Sequence, residues 1–425
     1  MNLARIKSTH YKLPWLLAYL LKWLVISLFV GALAGSASAI FLIALDHTTQ
    51  LREMNQWLIW LLPLGGLVIG LTYYYLGSDV VKGNNQLIDE FHKPEKIIPL
   101  KMAPLVLFGT LATHLFGGSA GREGTAVQMG GAIADQFTRL FKLKKRDRRT
   151  IIITGISAGF ASVFATPLAG AVFAIEVLTI GRIRYEAILP SFLTAMVANY
   201  ACQLWPVGHT HYAITTVPTM NLPMLLLAIM AGIIFGLSAW LFSKSAEYWS
   251  KLFSKIKYPP MRPVVGGAIL AAIIWSTGAF KYTGLGVPVI VDSFNTQQEP
   301  YVFLLKILFT TFTLSAGFKG GEVTPLFFVG ATLGSALSLV LPLPVSLLAG
   351  MGFVAVFAGA TNTPIACILM GIELFGATGA AYIAIACIMA YAFSGHTGIY
   401  QSQMIGTAKH LRFGLERGKR LNQIN

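Results

Sequence analysis

Charge is what this chain has least of. Only 12% of its 425 residues are Asp, Glu, Lys or Arg, about half the share of an ordinary soluble domain. Acid is scarcer than base, 17 residues against 32, and 55% of the chain is hydrophobic. Cysteine is nearly missing. Cys202, Cys367 and Cys387 all lie in apolar runs, without the spacing of a metal site or a disulfide framework, and read as small core residues. The histidines at 10, 47, 92, 114, 209, 211, 396 and 410 show no His-Glu-x-x-His pattern, and His209 and His211 read as part of an exposed loop. With no metal cluster and no nucleophile–base pair, the sequence points to no enzyme and no cofactor. Short alternating segments, the mark of a membrane β-barrel, are also absent.

What fills the chain is long uncharged stretches. Residues 23–45, 57–77, 150–175, 188–208 and 222–243 carry no charge, and neither do the 50 residues from Val323 to Ile372. A helix crosses a bilayer with roughly 20 apolar residues, so these read as spans, with two or more in the longest stretch. The fold class is therefore all-α and polytopic, because backbone in lipid must satisfy its own hydrogen bonds. The net charge of +15 does not indicate nucleic acid, since the cations sit at span ends. They are Lys144, Lys145, Arg146, Arg148 and Arg149, then Arg182 and Arg184, and the tail cations Lys409, Arg412, Arg417, Lys419 and Arg420. The positive-inside rule places these, and the N-terminal Arg5, Lys7 and Lys12, in the cytoplasm. The expected location is a cell's inner (plasma) membrane, crossed many times. The start reads as uncleaved, because its first apolar run is too long for a signal peptide.

The chain also repeats. Gly155 to Thr166-Pro167 matches Gly352 to Thr363-Pro364 in spacing, and nine residues after each proline stands a glutamate, Glu176 and Glu373. Upstream, the break at Gly121–Gly124 matches Gly320–Pro325. This divides the chain into a segment 1–13, a first transmembrane half 14–208, a loop 209–221, a second half 222–408 and a basic tail 409–425, too short for a folded regulatory module. Duplicated halves with glycine-broken segments in matching places are a transporter pattern, and the breaks point to the binding site.

Three breaks share one design, in which glycine and a polar residue lead into a helix. They are Gly83-Asn84, Gly121-Arg122-Glu123-Gly124 and Gly321-Glu322-Val323-Thr324-Pro325. A helix start has unpaired N–H donors and about half a positive charge, which favours anions. Asn84, Thr324 and Tyr400, just past the last apolar run, add side-chain donors. Glu123 is an ionisable group at membrane depth, and such groups usually mark a pathway. Plainer readings stand beside these: an ordinary turn at Gly83, an interface aromatic at Tyr400, and a structural ion pair of Arg122 with Glu123. Lys319 and Glu322, three apart, are read as paired with each other. Glu176 and Glu373 are read as structural, solvated or hydrogen-bonded. No Gly-Lys-Ser/Thr follows Gly121, so phosphate-loop chemistry is not supported.

These motifs resemble the CLC family of anion channels and anion/proton antiporters over about residues 14–408. The most specific are Gly121-Arg-Glu-Gly-Thr-Ala-Val-Gln-Met-Gly-Gly131 and Phe164-Ala-Thr-Pro-Leu-Ala-Gly170 with its downstream Ile175-Glu176. The resemblance implies an inverted-repeat helical bundle whose broken helices meet at mid-membrane, assembled as a homodimer with a pore in each subunit. It also implies that Glu123 is the gating and proton-coupling glutamate and Tyr400 the central tyrosine. Four departures from the chloride pattern stand out: Asn84 where serine is common, Thr125 where proline is, Val323 for phenylalanine, and Val177 where chloride/proton antiporters carry an internal proton glutamate. All four are similar to the fluoride/proton antiporter branch. The implied partners are fluoride, with chloride as the alternative, and protons. The implied anion site is Gly83, Asn84, Gly121, Arg122, Gly124, Val323, Thr324 and Tyr400. Val177 leaves the internal proton route open, with Glu322 as a candidate.

Overall fold

A computed structural model describes residues 13–424, so Arg5, Lys7 and Lys12 lie outside the described residues. The first half is built from α1 (Leu13–Met54), α2 (Leu62–Tyr75), α3 (Asn84–His92), α4 (Met102–Leu115), α5 (Glu123–Leu140), α6 (Lys145–Phe164), α7 (Pro167–Glu176) and α8 (Ile188–Gln203). The second half repeats the series as α9 (Leu222–Ser254), α10 (Met261–Thr277), α11 (Val287–Asp292), α12 (Val302–Ser315), α13 (Val323–Leu337), α14 (Val345–Thr361), α15 (Pro364–Phe375) and α16 (Ala380–Phe393). The same pairs pack in both halves: α5 on α6 as α13 on α14, and α1 on α8 as α9 on α16.

The halves are inverted. Lys22, early in α1, pairs with Asp147 at the start of α6 (2.7 Å), so α1 begins on the face of the basic loop 144–149. The tail reaches that face too, since α3 ends there with Asp89 bound to Arg420 (2.7 Å) and Glu90 bound to Arg148 (3.0 Å). Lys251, in the last turn of α9, lines a cavity with Asn422 of the tail. Thus α1 leaves the cytoplasmic face and α9 arrives at it.

Uncharged runs do not map one-to-one onto spans. Among the described residues, only Leu16–Met54, Gln56–Tyr75 and Leu222–Ser254 are long and apolar enough to cross alone. The run 150–175 is two helices, α6 and α7, and 323–372 is cut into α13, α14 and most of α15. The cause is local. Proline lacks an N–H and disfavours helical backbone in the residue before it. Pro167 and Pro364 each open a new helix, and the preceding one closes at Ala165 (φ 56°) and Asn362 (φ 62°), both left-handed.

Glu176 and Glu373 are structural. Glu176, ending α7, accepts from the Ile365 and Ala366 amides at the start of α15 (3.2 and 2.9 Å). Glu373, late in α15, accepts from Leu168 and Ala169 at the start of α7 (2.9 and 2.8 Å). Each carboxylate caps the other half's helix, so α7 and α15 lie antiparallel about the pseudo-twofold axis. Losing such a cap costs about 1–2 kcal/mol. Glu176→Ala and Glu373→Ala should each lower the thermal midpoint of the detergent-solubilised protein, and an unchanged midpoint would contradict the capping role.

Lipid gives helices no hydrophobic reason to associate, so close packing at small residues matters. A Cβ on Gly130 would stand 2.3 Å from the Gly155 carbonyl oxygen, and one on Gly330 would stand 2.0 Å from that of Gly352. These contacts clamp α5 to α6 and α13 to α14. The basic tail folds back onto the cytoplasmic face. There the strands β1 (Thr179–Ile180) and β2 (Met404–Ile405) pair in parallel, and Leu421 is buried against Ile180 and Ile405. All three cysteines are buried and free. His211 is exposed in the loop after α8, whereas His209 is half-buried.

Candidate anion pathway

The breaks before α5 and α13 meet. Gly121 and Gly321 exchange two backbone hydrogen bonds, 2.6 and 2.8 Å, forming an isolated antiparallel bridge. The bridge sets the starts of the two helices against each other. Two sets of unpaired N–H donors and two positive dipole ends therefore converge inside the protein.

Glu123 is the first residue of α5 and fully buried. Its Oε2 accepts from the Thr324 amide (3.0 Å) and the Arg122 amide (3.1 Å), and its Oε1 accepts from the Thr324 hydroxyl. Arg122 Nε stands 3.6 Å from Oε1 and makes no hydrogen bond. The ion pair with Arg122 is thus a secondary contact, and the carboxylate is held by the opposite half. A Cβ on Gly121 would stand 2.9 Å from Oε2, which is why glycine is needed there. Val323 opens α13 with its side chain in the core, and Thr324 supplies both the amide and the hydroxyl.

On the cytoplasmic side of this lock lies a cavity of about 140 Å³, lined among others by Gly83, Asn84, Gln128, Lys319, Glu322 and Tyr400. Gly83 takes φ 56°, ψ −128° before α3, a conformation open in practice only to glycine. This turn aims the start of α3 at the cavity. Asn84 Nδ2 stands 2.9 Å from where a Cβ on Gly124 would be, directly against the start of α5. Tyr400 is only 5% exposed, so it is no membrane-interface anchor. Lys319 does not pair with Glu322, because its ammonium lies 4.1 Å over the ring of Tyr73. Glu322 is left facing two cytoplasmic cavities, this one and another of about 380 Å³. Val177 is buried, and its carbonyl accepts from Gln403 Nε2 (2.7 Å), so it offers no titratable group.

On the outer side lies a larger cavity of about 680 Å³, with Arg52, Arg122 and Lys281 among its lining residues. All the expected anion-site residues thus fall on one line between two cavities, with Glu123 in the middle. Sequence reasoning missed Gln128 and Lys319. Gln128 had a readable signal, one helical turn beyond Gly124 on α5. Lys319 had none, because its direction depends on how α4 and α13 pack.

An inverted helical repeat with an acid set between opposed helix starts defines a membrane protein built around an anion pathway. The family profile described as "Voltage gated chloride channel" matches residues 65–395, and the chain belongs to this family, the CLC proteins. A "Chloride/fluoride channel protein" of Pseudomonas syringae pv. tomato is 54% identical, over 93% of this chain and 89% of that protein. An "H(+)/Cl(-) exchange transporter ClcA" of Cronobacter sakazakii is 27% identical, over 83% and 81%. Among solved structures, a CLC-type fluoride/proton antiporter superposes with a TM-score of 0.88 at 35% identity, covering 90% of this chain and 98% of that one.

Proposed function

We propose that the protein is a fluoride/proton antiporter that exports fluoride from the cytoplasm across the plasma membrane, working as a homodimer with one pathway in each subunit. One observation carries this reading: the Glu123 carboxylate occupies the donors of α13 between two cavities, where an anion would otherwise sit. Ionised, Glu123 competes with the anion. Protonated, it loses its claim on the Thr324 amide and hydroxyl and leaves them to fluoride. Anion and proton therefore alternate at one place, and the inward proton gradient drives fluoride out.

Fluoride holds its water more tightly than larger halides do, so its site must replace that shell with dense donors. The Asn84 amide beside Gly124 and the Thr324 amide and hydroxyl supply donors of this kind. Protons reach the cytoplasm by way of Glu322, the acid that faces both inner cavities. Liposomes loaded with fluoride test this directly. Fluoride efflux should draw protons inward against no other driving force, and chloride should move far more slowly. Equal chloride and fluoride efflux, or fluoride efflux without proton uptake, would overturn the proposal.

A further inference from the structure

Outside the gate, three cationic or basic side chains from three helices converge on one loop without a carboxylate to match them. Lys306 of α12 is fully buried and donates to the Tyr282 and Gly284 carbonyls (3.0 and 2.8 Å). Arg52, in the last turn of α1, gives its Nη2 to Glu53 (3.1 Å), an exposed partner at the cavity rim. Its Nη1 is buried and makes no hydrogen bond. His114, late in α4, is fully buried, and neither ring nitrogen makes a hydrogen bond.

The two spare groups share one spot. Arg52 Nη1 and His114 Nδ1 stand 2.2 and 3.4 Å from the point a Cβ on Gly284 would fill, and Gly284 takes φ 55°. A side chain at 284 would therefore close the space that the glycine leaves between them. Buried polar groups without partners are costly, and an unmatched buried charge is more so. What this spot lacks is an acceptor. Arg52 lines the 680 Å³ outer cavity together with Arg122, so the spot has a route to the outside and to the gate. His114 also begins the turn to the gate, where the Gly117 amide donates to its carbonyl (3.2 Å) and the chain runs on to Gly121.

We infer that the outer cavity holds a second anion site at Arg52 and His114, where a small monovalent anion rests between the gate and the exterior. The site needs charge and N–H donors but none of the crowding at Asn84, so it accepts halides without strong choice among them. Lys306 holds the loop 282–286 in place and adds positive charge beneath it. The inference deepens the transport reading by adding a stage beyond the selective step.

Bromide is a usable probe, because its anomalous scattering locates it. Crystals of the full chain soaked in bromide should show a peak between Arg52 Nη1 and the His114 ring. The peak should vanish in Arg52→Gln and in His114→Leu and persist in Arg52→Lys. Calorimetric bromide titration should weaken by about ten-fold or more in Arg52→Gln, the loss of one charge-assisted hydrogen bond. A wild-type crystal with no peak there at saturating bromide overturns the inference, whether or not the variants fold. Fluoride-driven proton movement in liposomes, measured on the same wild-type preparation, keeps the two readings apart. A peak without exchange defeats the transport reading alone, and exchange without a peak defeats the second site alone.

Discussion

Glu123→Gln is expected to end proton movement while leaving the protein folded. The glutamine keeps the shape of the side chain and can still accept from the Thr324 amide, but it can neither bind nor release a proton on the transport cycle. It also weakens the lock. The carboxylate accepts from two amides and one hydroxyl, and hydrogen bonds to a charged group are worth about 1.5–3 kcal/mol each against about 1 for neutral ones. A neutral amide therefore competes poorly with a halide for the same donors. Fluoride-driven proton uptake should fall by about two orders of magnitude or more, which is the loss of roughly 3 kcal/mol of charge-dependent interaction. The check is simultaneous recording by a fluoride electrode and a pH electrode on one liposome suspension. Persistent proton uptake in Glu123→Gln would show that another group carries the coupling. Glu322→Gln is the matching comparison. It lies on the cytoplasmic side and makes no contact with the donors of α13, so it should slow proton uptake while the anion preference stays as it was.

The sequence displayed its chemistry more openly than its geometry. Gly121, Glu123, Gly124 and Thr324 were readable because each breaks an apolar run with a residue that lipid depth penalises, and such breaks stand out without any structure. The duplication was readable because Thr-Pro and the glutamate nine residues later recur in both halves. What the linear order could not carry was direction. Glu176 and Glu373 look alike in sequence, yet only the crossing of α7 and α15 reveals that each caps the other's helix. Lys319 and Glu322 are spaced as a pair, but Gly320 (φ 151°) and the Gly121–Gly321 bridge lie between them, so helical spacing does not apply. The lysine turns to Tyr73 instead. Counting spans failed for a related reason. Helices that stop at mid-membrane are as apolar as those that cross, and only the prolines betray where they end.

Asn84→Ser should cut the preference for fluoride over chloride by about ten-fold or more, the equivalent of one charged-group hydrogen bond. The argument runs from backbone to ion. Gly83 turns the chain so that Asn84 opens α3 at the cavity, and the amide nitrogen ends close against Gly124 at the start of α5. From that position it offers two N–H groups beside the helix start, where a serine would offer a single hydroxyl on a shorter arm. Stripping water from fluoride costs more than stripping it from chloride, so removing one donor penalises fluoride first. Chloride gains in addition from the room that the smaller side chain leaves. Relative efflux of the two halides from liposomes, at one pH and with Glu123 intact, measures the effect without disturbing the gate. Proton uptake per fluoride should stay as in the wild type, because Asn84 does not touch the carboxylate. Should selectivity survive in Asn84→Ser, the discrimination would rest with the Thr324 amide and hydroxyl, the same donors that hold Glu123. Choice of ion and proton coupling would then be one event at one place, and no substitution could weaken either while sparing the other.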